Sequence, residues 1–227
     1  MKKNIIEFFL IVFILTYSYS FEYSISAIKQ NTITMEEIKN DITLDNTVTI
    51  GKNGFEFSVG IPILISLSNS NSNHIDINYL KCGIGYGTQN DSINHFISFN
   101  SIIPISQKEL FMIGGKYSLS FISDPFILKP GFSIDFNDIF SELSISEKLY
   151  ITPQFDVYFV ANNNTTIHFS FQETFHEHLS SLNMTCGLEY WMTKTNVITP
   201  FMVLISNSFG TGVYYGLTYK LVMRNIK

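Results

Sequence analysis

Asp156, His168 and Ser170 are the residues whose types come nearest to catalytic chemistry. A histidine that takes a serine proton, with its ring held by a carboxylate, drives many hydrolases. Apolar–polar alternation places all three on the polar faces of adjacent strands, with Glu189 on the next. No signature frames them, and any hairpin with polar positions offers such neighbours. The expectation is a hydrogen-bonded histidine and no enzyme. His176-Glu177-His178 carries the alternate histidines of a transition-metal site. It has no further ligands and sits in a segment read as a loop, so neither metal nor cofactor is expected. The run Gly83-Ile84-Gly85-Tyr86-Gly87 fits no phosphate-binding pattern and reads as small residues within a strand.

The same alternation puts Glu56, Lys81, Lys116, Lys129, Asp135, Asp156, Glu189 and Lys220 on the polar faces, with His168 among them. Acids and bases are equal in number. If those faces enclose a narrow space, the charges pair across it, because an unpaired charge away from water is costly. The alternative is a selectivity lining, basic for anionic sugars and acidic for cations. Balance favours the structural network, with a weakly selective pore next.

The elements that carry these residues are strands. From Gly210 to Met223, Val213, Tyr215, Leu217, Tyr219, Leu221 and Met223 alternate with Tyr214, Gly216, Thr218, Lys220 and Val222. Successive side chains of a strand face opposite ways, so one face is apolar and the other small or polar. The pattern recurs from Phe55 onward. Its clearest examples are Phe126–Phe136 and Leu149–Phe159. A phase slip near Tyr79 predicts a bulge. The segments His95–Ile105 and Val197–Ile205 are apolar on both sides. Ser123-Asp124, Ala161–Thr165 and Thr193–Asn196 read as tight links, whereas Ser66–Asn73, Asn137–Glu147 and Thr174–Leu182 read as long loops. Pro62, Pro130, Pro153 and Pro200 fall within strands. They belong at bulges or where strands leave the membrane, since proline removes a ladder hydrogen bond.

Composition agrees. Charged residues are 15% of the chain, where about 25% is usual for a soluble domain, so much of the outer surface is not built for water. The net charge of -5 and the lack of a basic run exclude nucleic acid as partner. Cys82 and Cys186 fall on apolar faces of strands that are not neighbours and read as unpaired thiols.

Residues 1–20 form a secretory signal: Lys2 and Lys3, an apolar run from Phe8 to Leu15, then Ser18-Tyr19-Ser20. Residues 21–52 read as a leader or an extra strand pair. Phe21, Tyr23, Ile25 and Ala27 alternate, Thr34 and Glu37 suggest a capped helix through Asn40, and Val48 and Ile50 lead into an Asn53-Gly54 turn. Residues 53–227 make the barrel. The fold class is therefore all-β, an antiparallel up-and-down transmembrane barrel. It has about ten strands, or twelve if residues 21–52 add a pair. A soluble sandwich or lipocalin-like barrel shares the alternation. Its polar face would carry more Lys, Glu, Thr and Arg than the Gly, Ser, Tyr and Asn found here.

From Phe55 to Met223, with the signal, the chain resembles the small bacterial outer-membrane β-barrel proteins. Gly216, Tyr219 and Leu221 look like their C-terminal assembly signal. The chain departs from that pattern in running on through Arg224-Asn225-Ile226-Lys227 rather than ending on an aromatic residue. The resemblance implies an outer-membrane location, with outer-membrane lipid and the barrel assembly machinery as partners. Two functions fit: a small, weakly selective pore for small solutes, or a closed barrel whose extracellular loops bind ligands or which stabilises the envelope. An outer-membrane hydrolase stands far behind. N-terminal sequencing of the exported protein is expected to begin near Phe21. A mature chain that keeps Lys2 and Lys3 would overturn the signal assignment.

Overall fold

The computed structural model describes residues 20–33, 38–67, 74–77, 79–88, 92–105, 111–177, 179–208 and 210–223. The alternating segments form β1 (Ser20–Ile33), β2 (Ile38–Lys52), β3 (Phe55–Leu67), β4 (His74–Asp76), β5 (Tyr79–Thr88), β6 (Ile93–Pro104) and β7 (Met112–Ser123). They continue as β8 (Phe126–Asn137), β9 (Leu149–Asn162), β10 (Thr165–His176), β11 (Leu179–Trp191), β12 (Asn196–Asn207) and β13 (Gly210–Met223). One short helix, α1 (Ile145–Lys148), lies between β8 and β9.

Every strand pairs antiparallel with its sequence neighbours, β4 and β5 sharing β3, and β13 returns to β1 with Tyr23 opposite Leu221 and Ser26 opposite Thr218. That last ladder closes the barrel. Because β4 and β5 both pair with β3, they are two pieces of one stave, and the barrel has twelve staves, the count expected if residues 21–52 add a pair. The added pair is β1 and β2. In β2, Ile42, Leu44, Val48 and Ile50 share a face with Tyr23, Ile25 and Ala27, but Asn46 interrupts the apolar series and hid it. The capped helix expected before Asn40 is corrected: residues 38–40 are strand, and 34–37 lie outside the described residues. The signal assignment also lies outside them.

Five links and both barrel termini lie at one end, hereafter the turn end: Lys52–Phe55, Thr88–Ile93, Ser123–Phe126, Asn162–Thr165 and Trp191–Asn196. The other end carries the longest connection, Asn137–Leu149. There Glu147 accepts hydrogen bonds from the Ser144 backbone and hydroxyl, both at 2.7 Å. These bonds hold the Glu147 carboxyl below its ordinary range, so the cap is in place at neutral pH and is lost on acidification. The long loop expected over Thr174–Leu182 is not one. β10 runs to His176 and β11 starts at Leu179, with Glu177 in a left-handed conformation at φ 52 to make the turn. Polar residues there had masked the strand ends.

Cross-strand partners share a face, so the register assigns every side chain. The large apolar residues point outward: Phe99 is 61% exposed, Ile84 54% and Phe57 53%. Among the described residues, the buried apolar side chains are Val197, Val222 and Pro62. This is a protein turned inside out, with its apolar surface outside and its polar surface within. Strands of 10 to 15 residues in the staves meet or exceed the roughly 9–11 needed to cross a bilayer. The free thiols Cys82 and Cys186 lie on this outer face, on β5 and β11.

The prolines divide into two kinds. Pro62 faces inward, opposite the break between β4 and β5. There Gly60 pairs with Lys81 and Leu64 with Asp76, one extra residue on the β4–β5 side. This is the bulge that the phase slip near Tyr79 predicted. Pro130, Pro153 and Pro200 point outward, and no bulge accompanies them. Each keeps its pairing on one side, to Phe155, Phe132 and Leu217 respectively, while the ladder on its other side skips bridges without changing register. A proline thus leaves one gap rather than a shifted strand. Beside Pro153, the Thr152 and Thr174 hydroxyls hydrogen-bond across the gap at 3.0 Å.

Glycines make room for inward side chains. Phe201, opposite Gly216, occupies the place where a Cβ on residue 216 would stand. Gly216→Val is expected to lower stability by about 1–3 kcal/mol through overpacking, with most of it recovered by adding Phe201→Leu. Urea unfolding in lipid vesicles measures both. An unchanged midpoint for the single variant would show slack in the lumen at this level.

Candidate functional site in the barrel lumen

The inward face bounds a polar cavity of about 400 Å³ reached by Glu56 and Ser58 of β3, Lys116 of β7, Lys129 of β8 and Asp156 of β9. Space for it comes from β5, whose Gly83 and Gly85 turn no side chain inward. A Cβ on Gly83 would stand 2.6 Å from Ser58 Oγ and 2.7 Å from Asn100 Oδ1, and one on Gly85 would stand 2.6 Å from the Phe96 ring. The glycine run read as small strand residues therefore lets Phe96 and Asn100 of β6 lie across the lumen wall.

Asp156 is the hub. Ser170 Oγ donates to its Oδ1 at 2.5 Å, and Gln154 Nε2 donates to Oδ2 at 3.5 Å. Lys129 is its cross-strand partner, and the Lys129 ammonium lies 4.5 Å from the centre of the Tyr158 ring. The ring face holds this cation beside the cavity, on the strand next to Asp156. His168 stacks on the Tyr158 ring, with centroids 4.4 Å apart at 11°. Its Nε2 lies 3.9 Å from Asp156 Oδ1, beyond hydrogen-bond reach.

That arrangement does not assemble a hydrolytic relay. A nucleophilic serine must give its proton to the histidine. Here the Ser170 proton goes straight to the carboxylate, and His168 stands beside the pair rather than between its members. His176 is equally committed. It stacks on Tyr150 at 4.1 Å, and its Nε2 is 2.8 Å from the Glu147 carbonyl. His178 lies outside the described residues. Among the described residues no group of His, Cys, Asp and Glu is placed to hold a metal ion.

The other charges named from sequence all point inward but are dispersed. Asp135 accepts from Ser133 Oγ at 2.8 Å and lies over Gly114. Glu189 accepts from Trp191 Nε1 at 2.8 Å. Lys81 pairs with Asp45 across the intervening β3, over Gly60, where a Cβ would stand 3.5 Å from the Lys81 Cβ. Lys220 reaches Glu22 at 3.5 Å. Asp45 and Glu22 are the residues that sequence reasoning left out of the lining, because residues 21–52 were read as a leader or an extra strand pair and not counted in the barrel. The signal was available: Thr43, Asp45, Thr47 and Thr49 alternate with the apolar residues of β2. With Asp76 also inward on β4, carboxylates outnumber lysines, and the expected equality of charge is corrected.

Three inward polar atoms, His168 Nε2, Asn183 Oδ1 and Thr199 Oγ1, are buried without a protein partner. They lie on β10, β11 and β12, on the wall away from β3. Groups of this kind are satisfied by water or solute in a wet interior.

No protein-family model matches the chain, and no curated protein sequence matches it. Solved structures do. The fold is similar to the NanC porin, at 11% identity and TM-score 0.64 over 88% of this chain and 98% of that one. It is similar to an outer membrane channel from Pseudomonas putida F1, at 5% identity and TM-score 0.64 over 91% of this chain and 96% of that one. It is also similar to the KdgM porin in complex with disordered oligogalacturonate, at 14% identity and TM-score 0.55 over 88% and 98%. At such identities the likeness is one of fold. The chain is a closed antiparallel barrel, and its fold is similar to that of these porins and channels.

Asp156→Asn is expected to lower stability by about 1–3 kcal/mol, since it weakens the charge-assisted Ser170 hydrogen bond and removes the carboxylate that Gln154 also reaches. Urea titration in vesicles measures it. Loss below about 0.5 kcal/mol would show that lumen water replaces the carboxylate fully.

Proposed function

We propose that this barrel is an outer-membrane pore for small hydrophilic solutes, with its turn end in the periplasm and a mild preference for cations. The carrying observation is the inside-out distribution of side chains. A band of exposed Phe, Ile, Leu and Tyr surrounds an inner face of Ser, Thr, Asn and charges. Lipid satisfies the first and water the second, and a barrel that holds both apart offers a polar path. The similar structures described as porins and channels support the same reading.

The cation preference rests on Glu22, Asp45, Glu56, Asp76, Asp135, Asp156 and Glu189 facing inward against Lys81, Lys116, Lys129 and Lys220. Two of those lysines are already in ion pairs, with Asp45 and Glu22. Lining charge sets ion preference through the local potential. The oligogalacturonate of the similar porin is not carried over, because a polyanion needs a surplus of cations along its path. Hydrolysis is set aside on the Ser170–Asp156 geometry.

A second reading, a closed barrel that presents its loops, is favoured by the inward rings of Phe96, Tyr158 and Phe201 and by an exposed Phe140 (79%) and Ile145 (74%) at the loop end. Single-channel recording of the refolded protein in a planar bilayer separates the two. Discrete steps are expected, with a reversal potential in a salt gradient of the sign that marks cation preference. Glu56→Gln is expected to reduce that potential. Silence from a protein shown to be folded by its altered gel mobility before boiling would overturn the pore and leave the closed barrel.

A further inference from the structure

The outer wall carries a deep concavity. An almost wholly apolar groove of about 730 Å³ runs over β3 and β5 to β8, between Phe57 and Ile84 on one side and Phe132 and Phe136 on the other. Its floor is low because the outward position on β7 opposite Phe99 is Gly115. A Cβ there would meet nothing nearer than the Phe99 ring at 3.7 Å. At the end of the groove nearer the turn end stands Tyr117, whose ring leans on Phe132 with centroids 6.0 Å apart. The Tyr117 hydroxyl and His95 Nδ1 hydrogen-bond at 2.9 Å. This pair is an outward, solvent-accessible polar group on a largely apolar face. It sits close to the strand ends, since His95 follows Ile93, the first residue of β6.

We infer that this groove holds one phospholipid of the periplasmic leaflet, its acyl chain along the apolar floor and its phosphate or glycerol oxygens at the Tyr117–His95 pair. The assignment rests on the outer-membrane reading above. Its own support is the match of two chemistries along one line, an apolar trough at mid-strand and a polar pair near the turn end. That is the layout of a lipid lying against the wall with its headgroup toward the periplasm. A Tyr hydroxyl at such a level faces both apolar chain and polar headgroup, the position amphipathic rings favour in membranes. A convex wall would give an acyl chain contact on one side only. Here the rings of Phe57 and Phe132 flank the floor at Gly115.

The test is native mass spectrometry of the full mature chain. It is first inserted into vesicles of phosphatidylethanolamine and phosphatidylglycerol, then released into mild detergent. The native sequence is expected to retain one phospholipid. Gly115→Leu, which fills the floor, is expected to cut the retained fraction at least fivefold, while Val213→Leu elsewhere on the outer face leaves it unchanged. Tyr117→Phe keeps the ring and removes only the hydroxyl, so it decides the matter should Gly115→Leu fail to fold. It is expected to lower retention about threefold. Insertion with retention that neither variant lowers overturns the lipid site alone. Failure of the native chain to insert and acquire altered gel mobility overturns the membrane reading, and the site with it.

Discussion

A backbone N–H or C=O inside lipid has no water to turn to, so each must find its partner within the protein. In this chain the ladder between β1 and β13 meets that requirement. Phe21 through Gln30 pair with Met223 back to Tyr214, and without them the sheet would have two open edges. The Ser26–Thr218 hydroxyl contact at 2.8 Å and the Lys220–Glu22 ion pair at 3.5 Å lie on the inner side of this seam. Chain ends that are far apart in sequence are thus the most interdependent part of the barrel. The residues that looked most like a leader turn out to hold the structure shut.

The same constraint explains how the prolines are tolerated. A proline lacks one donor, and its strand has two edges. Pro130, Pro153 and Pro200 each keep one ladder intact and leave a short gap in the other, while Pro62 uses the break between β4 and β5. Glycines answer a different demand. The lumen is narrow, so a ring on one strand needs an absent side chain on its neighbour, as Phe201 needs Gly216 and Phe96 needs Gly85. Packing inside this barrel is a matter of large against none across adjacent strands.

The proposed function rests on how the lumen charges are disposed. Lys81 and Lys220 are in ion pairs with Asp45 and Glu22 on nearby strands, and Lys129 lies over the Tyr158 ring. Under that reading, the inward carboxylates in excess of the lysines set the potential that a solute meets. The Asp156 cluster shows how close a structural network can come to catalytic residue types without the chemistry. Serine, histidine and carboxylate are adjacent, yet the proton route is wrong.

The sequence by itself determined the strand character, the two faces and the inward direction of Glu56, Lys116, Asp156 and His168. Side-chain direction in a strand depends only on parity, which is local. It also located the bulge before β5, because a slip in phase is visible residue by residue. What only the tertiary structure decided was everything that depends on which strand lies next to which. The pairing of β1 with β13, the partners Asp45 and Glu22, the turn that replaced the loop after His176 and the groove over Gly115 all join residues distant in sequence. Parity fixes a face but not a neighbour. A ring closed by hydrogen bonds between its first and last strands is legible only once the whole circumference is known.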